Sequence, residues 1–192
     1  MYTGNFALDR PDQPAFIMAA TGESVTYAEL DARANRLAHY LRSLGLRRLD
    51  HYAIFMENNS RYLECCAAGE RSGLYYTCIN SFLTSDELAY IVNNSESKVL
   101  IFSEATRAVA TEALRQCANI GMALVVDGIG TGTTICNLDE AVAGRPDTPI
   151  ADEALGTAML YSSGTTGRPK GIVRPLPDQP PAQPLGVMAL VD

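Results

Sequence analysis

The chain lacks any run of the ~18 to 20 apolar residues that a bilayer-spanning helix needs. Its first residues, Met1-Tyr2-Thr3-Gly4-Asn5-Phe6, carry no charged segment leading into an apolar core, so neither a membrane span nor a secretory leader is predicted. Basic residues are scarce: 15 Lys and Arg stand against 22 Asp and Glu, for a formal net charge of -7 and a pI near 4.8. The longest basic run is Arg47-Arg48. Nucleic acid and anionic membranes reward clustered cations, so neither is expected as the main partner. The cysteines Cys65, Cys66, Cys78, Cys117 and Cys136 are odd in number and show no C-x-x-C spacing. Such a set fits reduced thiols better than a disulfide framework or a zinc site, and a cytoplasmic protein is expected.

Several catalytic signatures are also missing. No G-x-S-x-G surrounds a serine, which removes the usual hydrolase elbow. A dinucleotide fingerprint starting at Gly128 would need glycine at 133, where Thr133 stands, and one starting at Gly130 would need it at 135, where Ile135 stands. His39 and His51 have no cysteine or carboxylate at ligand spacing, so no metal site is expected. The neighbouring acids Glu29 with Asp31, and Asp139 with Glu140, fall on helical segments among polar residues and read as solvated faces. No internal repeat is visible.

What the chain does have is a sizeable apolar fraction, 47% of 192 residues, enough for one domain with a real core. After a proline-punctuated lead-in and an apolar stretch at 15–20 read as a strand, Thr26 and Glu29 form a capping box. Leu30, Ala34, Leu37, Ala38, Leu41 and Leu44 then recur at helical spacing up to Gly45. Residues 52–56 are short and apolar throughout, as in a strand buried on both faces. Alternation continues with a helix at 61–72 behind Asn58-Asn59-Ser60, a strand at 74–79, a helix opened by Thr84 and Glu87, a strand at 99–102, a helix at 105–118 and a strand at 123–126. A short helix near 138–143 precedes an apolar strand at 155–161. This predicts an α/β fold, a mainly parallel sheet with helices on both faces. The last 22 residues hold five of the ten prolines, a density that excludes a central strand or a stable helix.

The most informative stretch is Tyr161-Ser162-Ser163-Gly164-Thr165-Thr166-Gly167-Arg168-Pro169-Lys170-Gly171. Its glycines let backbone approach a bulky anion, its hydroxyls donate to phosphate oxygens, and Lys170 supplies a point charge. It is not a Walker A loop, because counting from Gly164 that motif requires glycine where Pro169 stands. Residues 159–170 resemble the phosphate-binding signature of the adenylate-forming enzymes, the superfamily of acyl-CoA synthetases, luciferases and peptide-synthetase adenylation domains. The resemblance extends along nearly the whole chain. Residues 25–30 are similar to an L-T-Y-x-E-L element with Val25 in the first place, and Asn59-Ser60 with Tyr62-Leu63 resembles an N-S-x-x-Y/F-L step. Asn80-Ser81-Phe82-Leu83-Thr84-Ser85-Asp86-Glu87-Leu88 looks like the N-x-x-L-T-x-x-E-L stretch of acyl-CoA synthetases. One departure is Leu49-Asp50-His51, where the family has a G-D-x turn; a different turn is expected there.

The resemblance implies an incomplete N-terminal part of the adenylating enzymes' large domain, with residues 1–173 as a partial AMP-binding domain and 174–192 as a proline-rich tail of it. It implies the chemistry of an AMP-forming acyl-CoA synthetase, which uses ATP, Mg2+ and coenzyme A to activate a carboxylic acid, with the coenzyme A site outside this chain. Ser162, Ser163, Gly164, Thr165, Thr166, Gly167 and Lys170 would hold the ATP phosphates, and no residue is assigned to catalysis. Family members place their adenosine contacts, acidic magnesium ligand and acyl pocket downstream of this loop. The chain alone is therefore expected to be inactive. The alternative is a stand-alone, non-catalytic module that binds a nucleotide or a partner protein. The apolar run at 185–191 is expected to offer surface for association in either case.

Overall fold

The computed structural model describes residues 2–162 and 168–183. It opens on a short helix, α1 (Thr3–Asp9), which the sequence pattern does not announce. With 7 residues and no side-chain cap, α1 depends on packing. Phe6 stacks on Tyr27 with ring centroids 5.1 Å apart, and the Thr3 hydroxyl donates to Asp31 Oδ1 at 2.9 Å. The expected strand at 15–20 is shorter and is not part of the main sheet: β1 (Pro14–Ile17) pairs antiparallel with β2 (Ser24–Thr26) as a separate ribbon.

The helix α2 (Tyr27–Ser43) begins where its capping box lies. Thr26 accepts from the Glu29 amide, Glu29 accepts in return from the Thr26 amide, and the buried face is built from Leu30, Ala34, Leu37, Ala38 and Leu41. It ends at Gly45, whose φ of 89° lies in the left-handed region that glycine adopts without strain. Next come β3 (His51–Phe55), α3 (Tyr62–Arg71), β4 (Tyr75–Ile79), α4 (Ser85–Asn94) and β5 (Val99–Ser103). A 3-10 turn (Glu104–Thr106) leads into α5 (Arg107–Leu114), followed by β6 (Met122–Val126), β7 (Ile135–Asn137) and α6 (Leu138–Val142). Two details differ from expectation. Helix α5 stops at Leu114, so Cys117 is buried beyond its end and not on its face. The strand β7 is three residues long and too brief to register as a pattern.

The main sheet has the order β7-β6-β5-β3-β4-β8, where β8 is Thr157–Ala158, and every pairing in it is parallel. Period-2 alternation divides the core. Tyr52 and Ile54 of β3 join Leu37, Leu41, Leu74 and Leu138 on one face, under α2, α3 and α6. Ala53 and Phe55 join Leu88, Ile91, Val92, Ala110 and Ala113 on the other, under α4 and α5. A strand buried on both faces must be apolar throughout, which is why residues 52–56 show no alternation.

Candidate functional site

The expected single strand at 155–161 is two strands. At the sheet edge β8 pairs with β4, and the backbone then turns at Met159 into β9 (Leu160–Ser162), which pairs antiparallel with β10 (Lys170–Ile172). Because β8 runs parallel to β4, the chain leaves it at the carboxyl edge of the sheet, where doubly wound α/β folds bind ligands. Residues 163–167, and with them Ser163, Gly164, Thr165, Thr166 and Gly167 of the expected phosphate loop, lie outside the described residues, as does the run at 185–191.

The two ends of that loop are described. Ser162 and Lys170 are register partners, as are Tyr161 and Gly171. Residues opposite each other across an antiparallel pair share a face, and successive residues alternate faces. Tyr161 and Gly171 therefore share one face, on which Tyr161 is half-buried and a Cβ on Gly171, itself exposed, would come within 2.4 Å of Met159 Cε and 3.1 Å of the Tyr161 ring. Ser162 and Lys170 share the other face and are both exposed, which suits groups that meet a ligand from solvent. The local charge agrees: Arg168, Lys170 and Arg174 follow one another with no carboxylate before Asp178, in a chain that is acidic as a whole.

Helix α4 holds both arms of the hairpin. On the β9 side the Tyr161 hydroxyl donates to Asn94 Oδ1 at 2.7 Å, and burial, aided by the neighbouring Tyr90, pushes that phenol up to about 12. On the β10 side the Tyr90 hydroxyl donates to the Pro169 carbonyl at 3.1 Å, and the Arg168 guanidinium lies 5.3 Å from the Tyr90 ring centroid. Tyr90 and Pro169 are 79 positions apart in the chain, so no local spacing could reveal the pair. The capping box that starts α4 was visible; what α4 positions was not.

The edge strand is seated by two glycines that sequence reading also passed over. A Cβ on Gly156 would meet the Gly69 carbonyl oxygen at 2.0 Å, and one on Gly69 would meet the Tyr52 hydroxyl at 2.5 Å. With no side chain between them, the Gly156 amide donates to the Glu70 carbonyl at 2.8 Å, and the Thr157 and Met159 amides donate to the Leu74 and Tyr76 carbonyls at 3.1 and 2.9 Å. Beyond β10 the chain folds back along the same edge. The Tyr75 hydroxyl donates to the Arg174 carbonyl at 2.6 Å, Arg48 Nη2 to the Leu176 carbonyl at 2.8 Å, and the Leu155 amide to the Gln179 carbonyl at 2.9 Å.

The hollows do not all lie near this hairpin. One, of 670 Å³, is lined by Leu44, Lys98, Val99 and Met122 at the amino ends of β5 and β6, the edge opposite to ligand binding in such sheets. A cavity of 530 Å³ lined by Met56, Tyr62, Cys78, Ile79 and Phe82 sits at the carboxyl ends of β3 and β4, on the hairpin's edge of the sheet. Among the described residues no group of three His, Cys, Asp or Glu side chains could hold a metal ion, and no helix is long and apolar enough to cross a membrane.

The mainly parallel six-stranded sheet with its covering helices is the fold of part of the adenylate-forming ligases. A solved anthranilate CoA ligase, AuaEII in complex with anthranoyl-AMP, shares this fold with a TM-score of 0.77, covering 88% of this chain and 33% of its own, at 20% identity. The chain belongs to the AMP-binding enzyme family, whose model matches residues 5–176. It is 33% identical over 165 residues to the long-chain-fatty-acid–CoA ligase FadD13 of Mycobacterium tuberculosis, covering 85% of this chain and 32% of that one. It is 30% identical over 164 residues to N-(5-amino-5-carboxypentanoyl)-L-cysteinyl-D-valine synthase of Amycolatopsis lactamdurans, covering 85% of this chain and 4% of that one. The chain thus spans about a third of the length of the ligase it resembles.

Proposed function

We propose that this chain carries the ATP phosphate-binding part of an AMP-forming acyl-CoA synthetase. The observation that carries the reading is the hairpin register, which sets Ser162 and Lys170 side by side on the exposed face at the two ends of the Ser/Thr/Gly loop. In the proposed reaction a substrate carboxylate attacks the α-phosphate of ATP and pyrophosphate departs, so the charge to be stabilised lies on the β- and γ-phosphates. Lys170 supplies that stabilisation as a point charge. The hydroxyls of Ser162, Ser163, Thr165 and Thr166 and the amides of Gly164 and Gly167 donate to the phosphate oxygens. Mg2+, when bound with the nucleotide, neutralises part of the polyphosphate charge. Among the described residues no carboxylate cluster is available as a ligand set for that ion, and no residue of this chain is assigned to hold it. No coenzyme A site is assigned to these residues.

The match to an acyl-CoA ligase supports fatty-acid-type substrates for the whole enzyme. The match to a peptide synthase is a reminder that the scaffold serves both branches, and the Asn80 to Leu88 stretch favours the acyl-CoA one. We further assign residues 1–173 to the AMP-binding domain and 174–192 to its tail, with support from the hydrogen bonds that tie residues 174–179 to the edge of the sheet. Phosphate cradling without a site to orient the carboxylate forgoes up to ~7 to 11 kcal/mol of orientation. Residues 1–192 are accordingly expected to show no carboxylate-dependent exchange of pyrophosphate into ATP. The test is calorimetric titration with Mg-ATP, inorganic tripolyphosphate and adenosine. A phosphate cradle binds the first two with similar affinity and ignores adenosine; binding of adenosine without tripolyphosphate, or exchange activity by the chain alone, contradicts the reading.

A further inference from the structure

Helix α3 is followed directly by β4 and packs on it, and this connection brings two thiols together. Cys66 Sγ lies 3.8 Å from Cys78 Sγ, within reach of a thiol–thiol hydrogen bond. The sulfurs need to close to about 2.05 Å to bond, a movement that side-chain rotation can supply when the backbones are already adjacent. The two are not equivalent. Cys78 is exposed at the carboxyl end of β4 and lines the 530 Å³ cavity with Tyr62 and Phe82, whereas Cys66 is partly buried and Cys65, next to it in the chain, is fully buried.

We propose that Cys66 and Cys78 form a peroxide-responsive dithiol, in which Cys78 is the thiol oxidised first and Cys66 the thiol that resolves it into an intramolecular disulfide. The Cys78 thiolate attacks one oxygen of hydrogen peroxide, the O–O bond breaks, and the departing hydroxide takes a proton and leaves as water. The sulfur is then a sulfenic acid. Cys66 gives up its proton and attacks that sulfur, the S–S bond forms, the S–O bond breaks, and the hydroxyl leaves with the proton as a second water. Two thiols and one peroxide yield one disulfide and two waters, with two electrons passing from sulfur to oxygen.

The surroundings favour this order. The hydrogen bond from Cys66, and a second from the Tyr62 hydroxyl, hold Cys78 down to about 7 against the opposing effects of burial and the Glu70 carboxylate, and the same contact pushes Cys66 up. Ionisation, which makes the nucleophile, is thus favoured at the exposed sulfur over the inner one. Both cysteines belong to elements that position β8, since α3 carries Gly69 and β4 is the pairing partner of β8. A disulfide here would join the two supports of the edge strand.

The experiment treats the reduced chain with hydrogen peroxide, blocks remaining thiols by alkylation, and maps tryptic peptides without reduction. Cys66 falls in the peptide 62–71 and Cys78 in 72–98, so the expected product is that pair of peptides cross-linked and lighter by two hydrogens, formed equally in Cys65→Ser. In Cys66→Ser, Cys78 is expected to accumulate as a sulfenic acid that a cyclic dione traps. In Cys78→Ser, no cross-link forms and Cys66 remains alkylatable. Without oxidant at neutral pH, Cys78 should be alkylated at least about tenfold faster than Cys66. Circular dichroism of each variant confirms that it is folded. A cross-link through Cys65, disulfides only between separate chains, or a Cys78 that stays alkylatable at peroxide concentrations that oxidise free cysteine would overturn the proposal.

Discussion

Leu49 occupies a backbone position with φ 73°, a region that costs a branched L-residue roughly 1 kcal/mol or more. This is the place where the family pattern has glycine. The leucine takes up a glycine-type conformation, anchored by its amide donating to the Gly73 carbonyl at 2.8 Å. Since Leu49 is 46% exposed and loses little packing, Leu49→Gly should raise stability by up to about 1 kcal/mol in urea unfolding; an equal or lower midpoint would count against the strain. Arg71 shows the opposite economy. Fully buried, it pairs with Asp31 and Asn35, lies 3.7 Å from Glu153 and stacks 5.2 Å from the Tyr2 ring. It thereby gathers the N-terminal residues, α2, α3 and the segment before β8 around one guanidinium. Arg71→Met leaves two carboxylates without their cation and should cost about 3 to 5 kcal/mol, partly recovered when Asp31→Asn is added. None of this was legible in the sequence, where a lone arginine at the end of a helix reads as a solvated C-terminal charge.

Among the elements, those that start on a local signal were readable. Both capping boxes are present as the spacing implied, and they make a pH prediction. The amide of the capping threonine, then its hydroxyl, holds Glu29 and Glu87 below the ordinary carboxylate range. An acid with a lowered folded pKa adds stability above its unfolded value, near 4.3, and loses it as the pH falls through the lower, folded value. The advantage of the native chain over Glu29→Gln/Glu87→Gln should therefore shrink between about pH 5 and pH 3; a constant gap in thermal midpoints across that window would contradict it. Elements held by distant contacts were not readable. Helix α1 rests on a ring stack with α2, and the break at Met159 follows from a sheet edge that is recognised only once β4 is in place. The close approach of Gly156 to Gly69 is of the same kind. Gly156→Ala would drive a Cβ into the Gly69 carbonyl and should cost about 1 to 3 kcal/mol, with loss of amide protection at Thr157 and Met159 in hydrogen exchange.

At the scale of the molecule, the doubly wound sheet follows from alternation of apolar runs and capped helices, and that much needed only the sequence. Which edge the loop occupies, and which side chains face outward, depended on strand order and register. Ser162 and Lys170 were candidates from composition of the loop, and the antiparallel pairing now gives a reason that they share one exposed face while the half-buried Tyr161 turns to the other. Helix α4 steadies both arms of that hairpin from a position 67 to 79 residues away in the chain. If the hairpin is a cradle for polyphosphate with Lys170 as its charge, the most direct test is titration of inorganic tripolyphosphate with Mg2+ into residues 1–192 and into Lys170→Ala. The expected result is saturable binding that weakens about tenfold on loss of the ammonium, a difference of about 1.4 kcal/mol, and that falls as salt is raised. Equal affinity in the two proteins, with both folded, would contradict it.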